Sequence, residues 1–195
     1  MCILTDKINN GYYCVPVYVF QALKKLGYPT SFDSIVNDLK VKIPTETECE
    51  NLDYGITTKD ALVQINALLN KIDDNLRFVI IPLNIIPYGM YEEFTDYILN
   101  EFVGVGCSYD YGYIKDKEQN VFRHISFLEK ITGKNVEIKD YPTDSSTPAT
   151  FSVDLSKLMY SINITNGGFW IITSNKNEKD IMLNFEKYLY YGDKR

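Results

Sequence analysis

Apolar residues recur at three- and four-residue spacing after Cys14, and this spacing predicts an amphipathic helix near the start of the chain. Pro16 falls in the first turn, where its missing N–H costs nothing, and Gly27 follows the last periodic residue as a stop. The predicted buried face consists of Val15, Tyr18, Val19, Ala22, Leu23 and Leu26. Cys14 is therefore expected at a helix N-terminus.

The same spacing predicts further helices, and β-branched or alternating runs predict strands. Further helices are expected at 32–39, capped by Thr30 or Ser31; from Thr57 or Thr58 to 72, with a stripe of Ala61, Leu62, Ile65, Leu68, Leu69 and Ile72; at 90–102; up to 162, capped by Ser152 or Asp154; and at 178–190. Strands are expected at 76–83, 103–109, 121–129, 136–140 and 169–174, and a loop at 144–150. Helices followed by an antiparallel sheet indicate an α+β fold, and 195 residues suit one domain, 1–195.

Charge and cysteine content narrow the possible functions. Twenty Lys and Arg stand against 26 Asp and Glu, with no basic cluster, so nucleic acid is not an expected partner. No apolar run approaches a membrane span and the start lacks a secretory signal, so we expect a cytoplasmic protein without a membrane partner. The four cysteines form no Cys-x-x-Cys pair and the chain has one histidine, so neither a metal site nor another cofactor is expected.

Cys14 is the first candidate for chemistry. A helix N-terminus presents unpaired N–H groups and a partial positive charge, which lower the pKa of a thiol and bind an oxyanion. The alternative is that Cys14 is a small buried hydrophobe, as free cysteines often are.

His124, the only histidine, and Asp140 lie on the two strands of a predicted hairpin. A three-residue loop centred on Thr132 pairs residues whose numbers sum to 264, which sets His124 directly opposite Asp140 on one face. The carboxylate could then fix the imidazole tautomer while the other nitrogen takes a thiol proton. The alternatives are a structural histidine and an aspartate that serves the turn before Tyr141-Pro142.

The order of Cys14 on the first helix, His124 on a later strand and Asp140 at the end of the next strand resembles the papain-like cysteine peptidases, in particular their C39-like branch. The resemblance spans nearly the whole chain. It implies a papain-like fold, in which Cys14 is the nucleophile, His124 the general base and Asp140 the residue that orients it.

The sequence departs from that family's pattern around the oxyanion hole. Members commonly have Cys-Gly-Pro and a glutamine six residues before the nucleophile, whereas this chain has Cys14-Val-Pro16 and Ile8 at the glutamine position. Asn9 and Asn10 are the nearest side-chain amides, and either could assist the backbone N–H of Cys14. The alternative role for both asparagines is turn formation.

What attacks a Cys14 thioester decides the reaction. An activated donor needs less oxyanion stabilisation than a peptide bond, so the main hypothesis is acyl transfer to an amine, as in amide-forming homologues in the biosynthesis of peptide-type natural products. The expected partners are an acyl thioester or peptide substrate, free or on a carrier protein, and an amine acceptor. The alternatives are a C39-like peptidase and an inactive binding or immunity module.

Four aromatic residues are candidates for the substrate pocket. These are Tyr12, Tyr13, Tyr109 and Trp170, and the net charge of −6 could favour a protonated polyamine as acceptor. For each of the four, ordinary core packing is the alternative.

Overall fold

The predicted helices and antiparallel sheet are present in the structure, a computed structural model that describes residues 13–41, 56, 58–116, 123–142 and 147–174. The helices are α1 (Cys14–Lys25), α2 (Phe32–Leu39), α3 (Thr58–Ile72), α4 (Tyr91–Glu101), α5 (Tyr111–Ile114) and α6 (Leu155–Ile164). The strands are β1 (Leu76–Pro82), β2 (Val105–Asp110), β3 (Arg123–Thr132), β4 (Asn135–Asp140), β5 (Ala149–Asp154) and β6 (Gly168–Ser174). Two 3₁₀ turns, Leu83–Ile85 and Tyr88–Met90, connect β1 to α4.

In this part of the chain the strands form one antiparallel sheet in the order β1-β6-β2-β3-β4-β5. The N-terminal helices α1 to α3 pack on one face, with Tyr18 of α1 against Phe127 and Trp170. Helices α4 and α6 pack on the other face, through Phe94 and Leu158 among others. The fold is therefore α+β, as predicted from the sequence, with helices on both faces of the sheet.

Burial on both faces explains the apolar runs in the two central strands. All six residues of β2 are buried, as are the first six of β6, because each strand has neighbours on both sides and helices above and below. At Gly106 of β2 a Cβ would lie 2.7 Å from the Tyr18 ring and 3.0 Å from the backbone oxygen of Ser126. Glycine at this position thus allows α1 to lie close to the sheet.

Helix caps and ends follow the local sequence. The Ser31 side chain accepts a hydrogen bond from the backbone N–H of Ser34, and that of Asp154 accepts from Ser156 and Lys157. Gly27 has φ +84°, the left-handed conformation common just after a helix. Strand β1 lies at the sheet edge and ends at Pro82, which cannot donate to a ladder.

Two sequence-based predictions of elements need correction. Residues 149 and 150, predicted as the end of the loop, begin strand β5, in which Phe151 and Val153 alternate with polar residues at the sheet edge. Leu62 is 43% exposed and not part of the buried stripe of α3, since Ala61, Ile65 and the residues after them fill that face. The helix expected at 178–190 lies outside the described residues, and the single-domain assignment stays a prediction.

The register of the β3–β4 hairpin also differs from the prediction. Two residues, Gly133 and Lys134, form the loop, and Gly133 has φ +59°, as the first position of a type II′ turn requires. A bulge at Glu129 then shifts the pairing, so that Phe127 lies opposite Lys139. Asp140 is therefore aligned with position 126, and His124 lies two residues further along the same face.

Candidate active site

Cys14 is the first residue of α1, and it is half-buried. The N-cap residue Tyr13 makes no side-chain cap hydrogen bond, and the first turn contains no acidic residue. The backbone N–H groups of a first turn have no partner within the helix and carry a partial positive charge. The thiol therefore lies where these groups can stabilise a negative sulfur or oxygen atom.

His124 and Asp140 are hydrogen-bonded although they are not directly opposite. The His124 Nε2 to Asp140 Oδ1 distance is 2.7 Å, and the two side chains are 5% and 17% exposed. The observed register moved the pairing by two residues relative to the prediction, and an even shift leaves both side chains on the same face. The contact therefore forms diagonally across the ladder.

Two buried hydroxyl groups are linked to Asp140 through hydrogen bonds. The Ser126 hydroxyl donates to the same Oδ1 atom at 3.1 Å, and the Tyr109 hydroxyl lies 3.0 Å from Ser126 Oγ. Because an ionised carboxylate only accepts, Ser126 donates to Asp140 and can accept from Tyr109. Asp140 is thus held by His124 and by Ser126, a residue the sequence analysis did not identify.

The Cys14 and His124 side chains line the same cavity, and the proximity of the thiol favours the charged form of the ring and so raises the pKa of His124. Helix α1 packs on the sheet face of Ile125, whereas His124 pairs with Tyr109 on the opposite face. Cys14 and His124 meet at the end of β3, because Cys14 begins its helix and His124 is the second residue of its strand.

The contacts of His124 favour its charged form. Burial alone lowers the pKa of the imidazole, but the hydrogen bonds and negative charges of Asp140 and Cys14 outweigh burial and raise the pKa to about 10. Protonation of the ring is therefore favoured. A protonated imidazole between a sulfur and a carboxylate can give its proton to a leaving group and take one back.

A small cavity of about 50 Å³ opens beside this cluster. Its lining residues are Cys14, Val15, Ile56, Ser108, Arg123, His124, Ile125 and Trp170. Ser108, Arg123 and the aliphatic residues were not identified from the sequence, although Arg123 directly precedes His124. Three of these lining residues have ionisable side chains: Cys14, Arg123 and His124.

The four aromatic candidates have different positions. Trp170 lines the cavity, whereas the Tyr13 ring packs edge-on against Phe32, 6.1 Å between centroids, and does not line the described cavity. Tyr109 is fully buried and its hydroxyl bonds Ser126, so it lies beneath the site rather than in the pocket. Tyr12 lies outside the described residues, as do Asn9 and Asn10.

The described ranges contain neither a cluster of metal-binding side chains nor a membrane-spanning helix. No group of three or more His, Cys, Asp or Glu residues there is arranged to hold a metal ion. None of the helices described is both long and apolar enough to cross a bilayer.

Comparison with known proteins gives a likeness to solved structures but no match of sequence family. No protein-family model matches the sequence, and a search of curated proteins finds no match. The chain is similar to the crystal structure of the peptidase domain of Streptococcus ComA, a bifunctional ABC transporter involved in a quorum-sensing pathway. The two share 11% identity over 84% of this chain and 93% of that one, with a TM-score of 0.49.

Proposed function

We propose that this chain catalyses acyl transfer through a thioester on Cys14, with an amine as the acceptor. The observation that carries the proposal is that Cys14 and His124 line one cavity and that His124 is hydrogen-bonded to Asp140. A thiol at a helix N-terminus, an imidazolium and a carboxylate that orients it are the groups that nucleophilic catalysis by cysteine needs.

The proposed reaction has two steps. The Cys14 thiolate attacks the carbonyl carbon of the donor, a C–S bond forms, and the leaving group departs with the proton of the His124 imidazolium. A neutral amine then attacks the thioester, its proton passes to His124, the amide forms and the C–S bond breaks. Asp140 stays ionised throughout and stabilises the charged ring.

The cavity lining bears on the acceptor. Val15, Ile56, Ile125 and Trp170 make much of the wall apolar, which favours a dry site in which water competes poorly with a bound amine. The ionisable side chains Arg123 and His124 are basic, so the cavity itself favours a neutral amine over a protonated polyamine. A carrier protein that delivers the donor is part of this proposal, as is cytoplasmic action.

Hydrolysis of a peptide bond, as by a C39-like peptidase, is the second candidate. Cleaving an amide requires stronger oxyanion stabilisation than cleaving an activated thioester. The indole of Trp170 could supply it, because Trp170 lines the cavity and its buried N–H has no hydrogen-bond partner among the described residues. The same three residues serve both reactions, and only the acceptor differs.

Product analysis separates the two candidates. Purified protein is incubated with small-molecule acyl thioesters, a panel of amines and unstructured peptides, and the products are identified by mass spectrometry. The proposal expects amide as the major product with at least one amine, and loss of that product in Cys14→Ala. Cys107→Ala, which removes a buried core thiol away from the cavity, is the control and should keep the activity. Free acid with every amine, together with peptide cleavage, would favour the peptidase. An inactive module would give no Cys14-dependent product.

A further inference from the structure

The Trp170 indole N–H is a buried donor with no hydrogen-bond partner among the described residues. The side chain is 2% exposed. A buried Trp N–H usually finds an acceptor, and leaving such a donor unpaired is energetically unfavourable. An unpaired donor of this kind points to an acceptor supplied from elsewhere.

The position of Trp170 suggests where that acceptor comes from. Trp170 lies on β6 and lines the same cavity as Cys14 and His124. The cavity holds about 50 Å³, which is enough for one or two groups of the size of a carbonyl oxygen or a water. An oxygen atom bound there would lie in a cavity that Cys14 and Trp170 both line.

The ring is held rigidly in this position. It packs edge-on against Tyr18, 5.7 Å between centroids, and against Phe78 at 5.0 Å. The backbone of Trp170 pairs with Gly106 on one side and Ile80 on the other. A donor fixed by its surroundings costs no reorganisation when charge develops next to it.

Attack on a carbonyl by Cys14 needs such a donor. The carbonyl oxygen becomes an oxyanion, and effective catalysts usually meet it with two N–H groups. The start of α1 supplies the backbone N–H of Cys14. The glutamine that would supply the second in similar proteins is absent from this sequence, where Ile8 stands at its position.

We propose that the Trp170 Nε1–H is the second donor of the oxyanion hole and hydrogen-bonds the oxygen of the acyl group on Cys14. This assignment rests on the acyl-transfer function proposed above. As the C–S bond forms, the carbonyl π electrons move to the oxygen, and the indole hydrogen bond strengthens with that charge. No proton leaves the indole in either step, so Trp170 acts by electrostatic stabilisation alone.

Trp170→Phe tests the proposal, because phenylalanine keeps an aromatic ring but has no N–H. The expected result is a fall in kcat for acyl transfer of about 10²–10³-fold, as when one oxyanion donor is removed. The rate of Cys14 alkylation by iodoacetamide should stay within about twofold, because displacement at a saturated carbon forms no oxyanion. An unchanged kcat would refute the assignment, and so would a parallel loss of transfer and alkylation, which would indicate disturbed packing.

A second measurement uses the native chain and does not depend on turnover. Trp170 is the only tryptophan, so its indole N–H gives a single resonance in a ¹H–¹⁵N NMR spectrum. A simple aliphatic aldehyde, added as the probe, should form a hemithioacetal on Cys14 and place its hydroxyl oxygen where the oxyanion would be. We expect the indole resonance to move downfield on addition of the aldehyde, and to stay in place in Cys14→Ala.

The two measurements distinguish failure of this assignment from failure of the proposed function. An indole chemical shift that stays unchanged when the hemithioacetal forms would refute the Trp170 role even if acyl transfer occurs. It would fit an N–H directed at a neighbouring aromatic ring. A downfield shift in a protein that shows no transfer with any donor would support the donor role and count against the proposed function.

Discussion

The charge state of His124 is the first quantity to test, because the proposed chemistry depends on an imidazolium at neutral pH. The pKa of the ring is raised from 6.5 to about 10 by hydrogen bonds and negative charges that outweigh burial. Asp140→Asn is the perturbation. An amide keeps an acceptor of nearly the same shape at Nε2 but removes the negative charge.

The size of the effect follows from the contact that is lost. A hydrogen bond to a charged group contributes about 1.5–3 kcal/mol, and one pKa unit corresponds to 1.36 kcal/mol, so the pKa of His124 should fall by about 1–2 units. Cys14 still raises the pKa in this variant, while burial still lowers it. We therefore expect titration of the ring near pH 8–9 in Asp140→Asn, about 1–2 units below the wild type.

NMR of the histidine ring measures this directly, since the chain contains one histidine and its resonances need no assignment. Ser126→Ala is the matched control, because it removes a 3.1 Å hydrogen bond to the same Asp140 oxygen but leaves the carboxylate. Its titration should lie closer to the wild type than that of Asp140→Asn. A wild-type midpoint at or below 6.5, or identical midpoints in wild type and Asp140→Asn, would refute the reasoning.

The same pKa predicts how stability depends on pH. A group whose pKa is higher in the folded than in the unfolded protein adds stability that is fully present below the unfolded pKa, about 6.5 for histidine, and is lost as pH rises through the folded pKa, about 10 here. The difference in free energy of unfolding between wild type and Asp140→Asn should narrow between about pH 8, where His124 of the variant begins to lose its proton, and pH 10. Urea denaturation at several pH values measures it, and a difference that widens over this range would contradict the account.

Two further predictions concern the thiols and the packing of α1. Iodoacetamide near neutral pH should label Cys14 in the folded protein and Cys107 only after unfolding. Cys107 is fully buried in the core, and burial raises the pKa of its thiol. Peptide mapping that shows Cys107 labelled first would contradict this prediction. Gly106→Ala should cost about 1–3 kcal/mol through overpacking against Tyr18, or roughly 2–12 °C in Tm, whereas the control Gly89→Ala, with nothing within 4 Å of the added Cβ, should not lower Tm.

The parts of the site that the sequence predicts are those determined by local pattern. The position of Cys14 follows from a helix whose periodicity, Pro16 and Gly27 lie within fourteen residues. The shared face of His124 and Asp140 survives an incorrect register, because only the parity of the pairing decides the face. Catalytic roles for these residues remain proposals.

Long-range contacts account for what the sequence does not predict. The bulge at Glu129 depends on how β3 fits both of its neighbours, and its sequence contains no glycine or other local signal. Ser126 belongs to the hydrogen-bonded cluster only because β2 and β4 flank β3. Strand β5 is rich in Ser and Thr, so it resembles a loop until the sheet edge that it completes is known.

The position of Trp170 beside Cys14 in the cavity lining could not be predicted from the sequence either. Trp170 lies 156 residues after Cys14 in the chain, and its strand reads as an ordinary apolar run. Antiparallel pairing of β6 with β2 brings it to the cavity. No spacing rule along the chain connects an indole to a thiol at this distance.

A covalent acyl group on Cys14 is the most direct test of the central claim. Intact-protein mass spectrometry after incubation with a small-molecule acyl thioester, without amine, should show one added acyl mass that hydroxylamine removes, and fragmentation should locate it on Cys14. The Cys14→Ala variant should show no addition. An equal adduct in Cys14→Ala, or no adduct in a wild-type protein whose Cys14 still reacts with iodoacetamide, would contradict acyl transfer through Cys14.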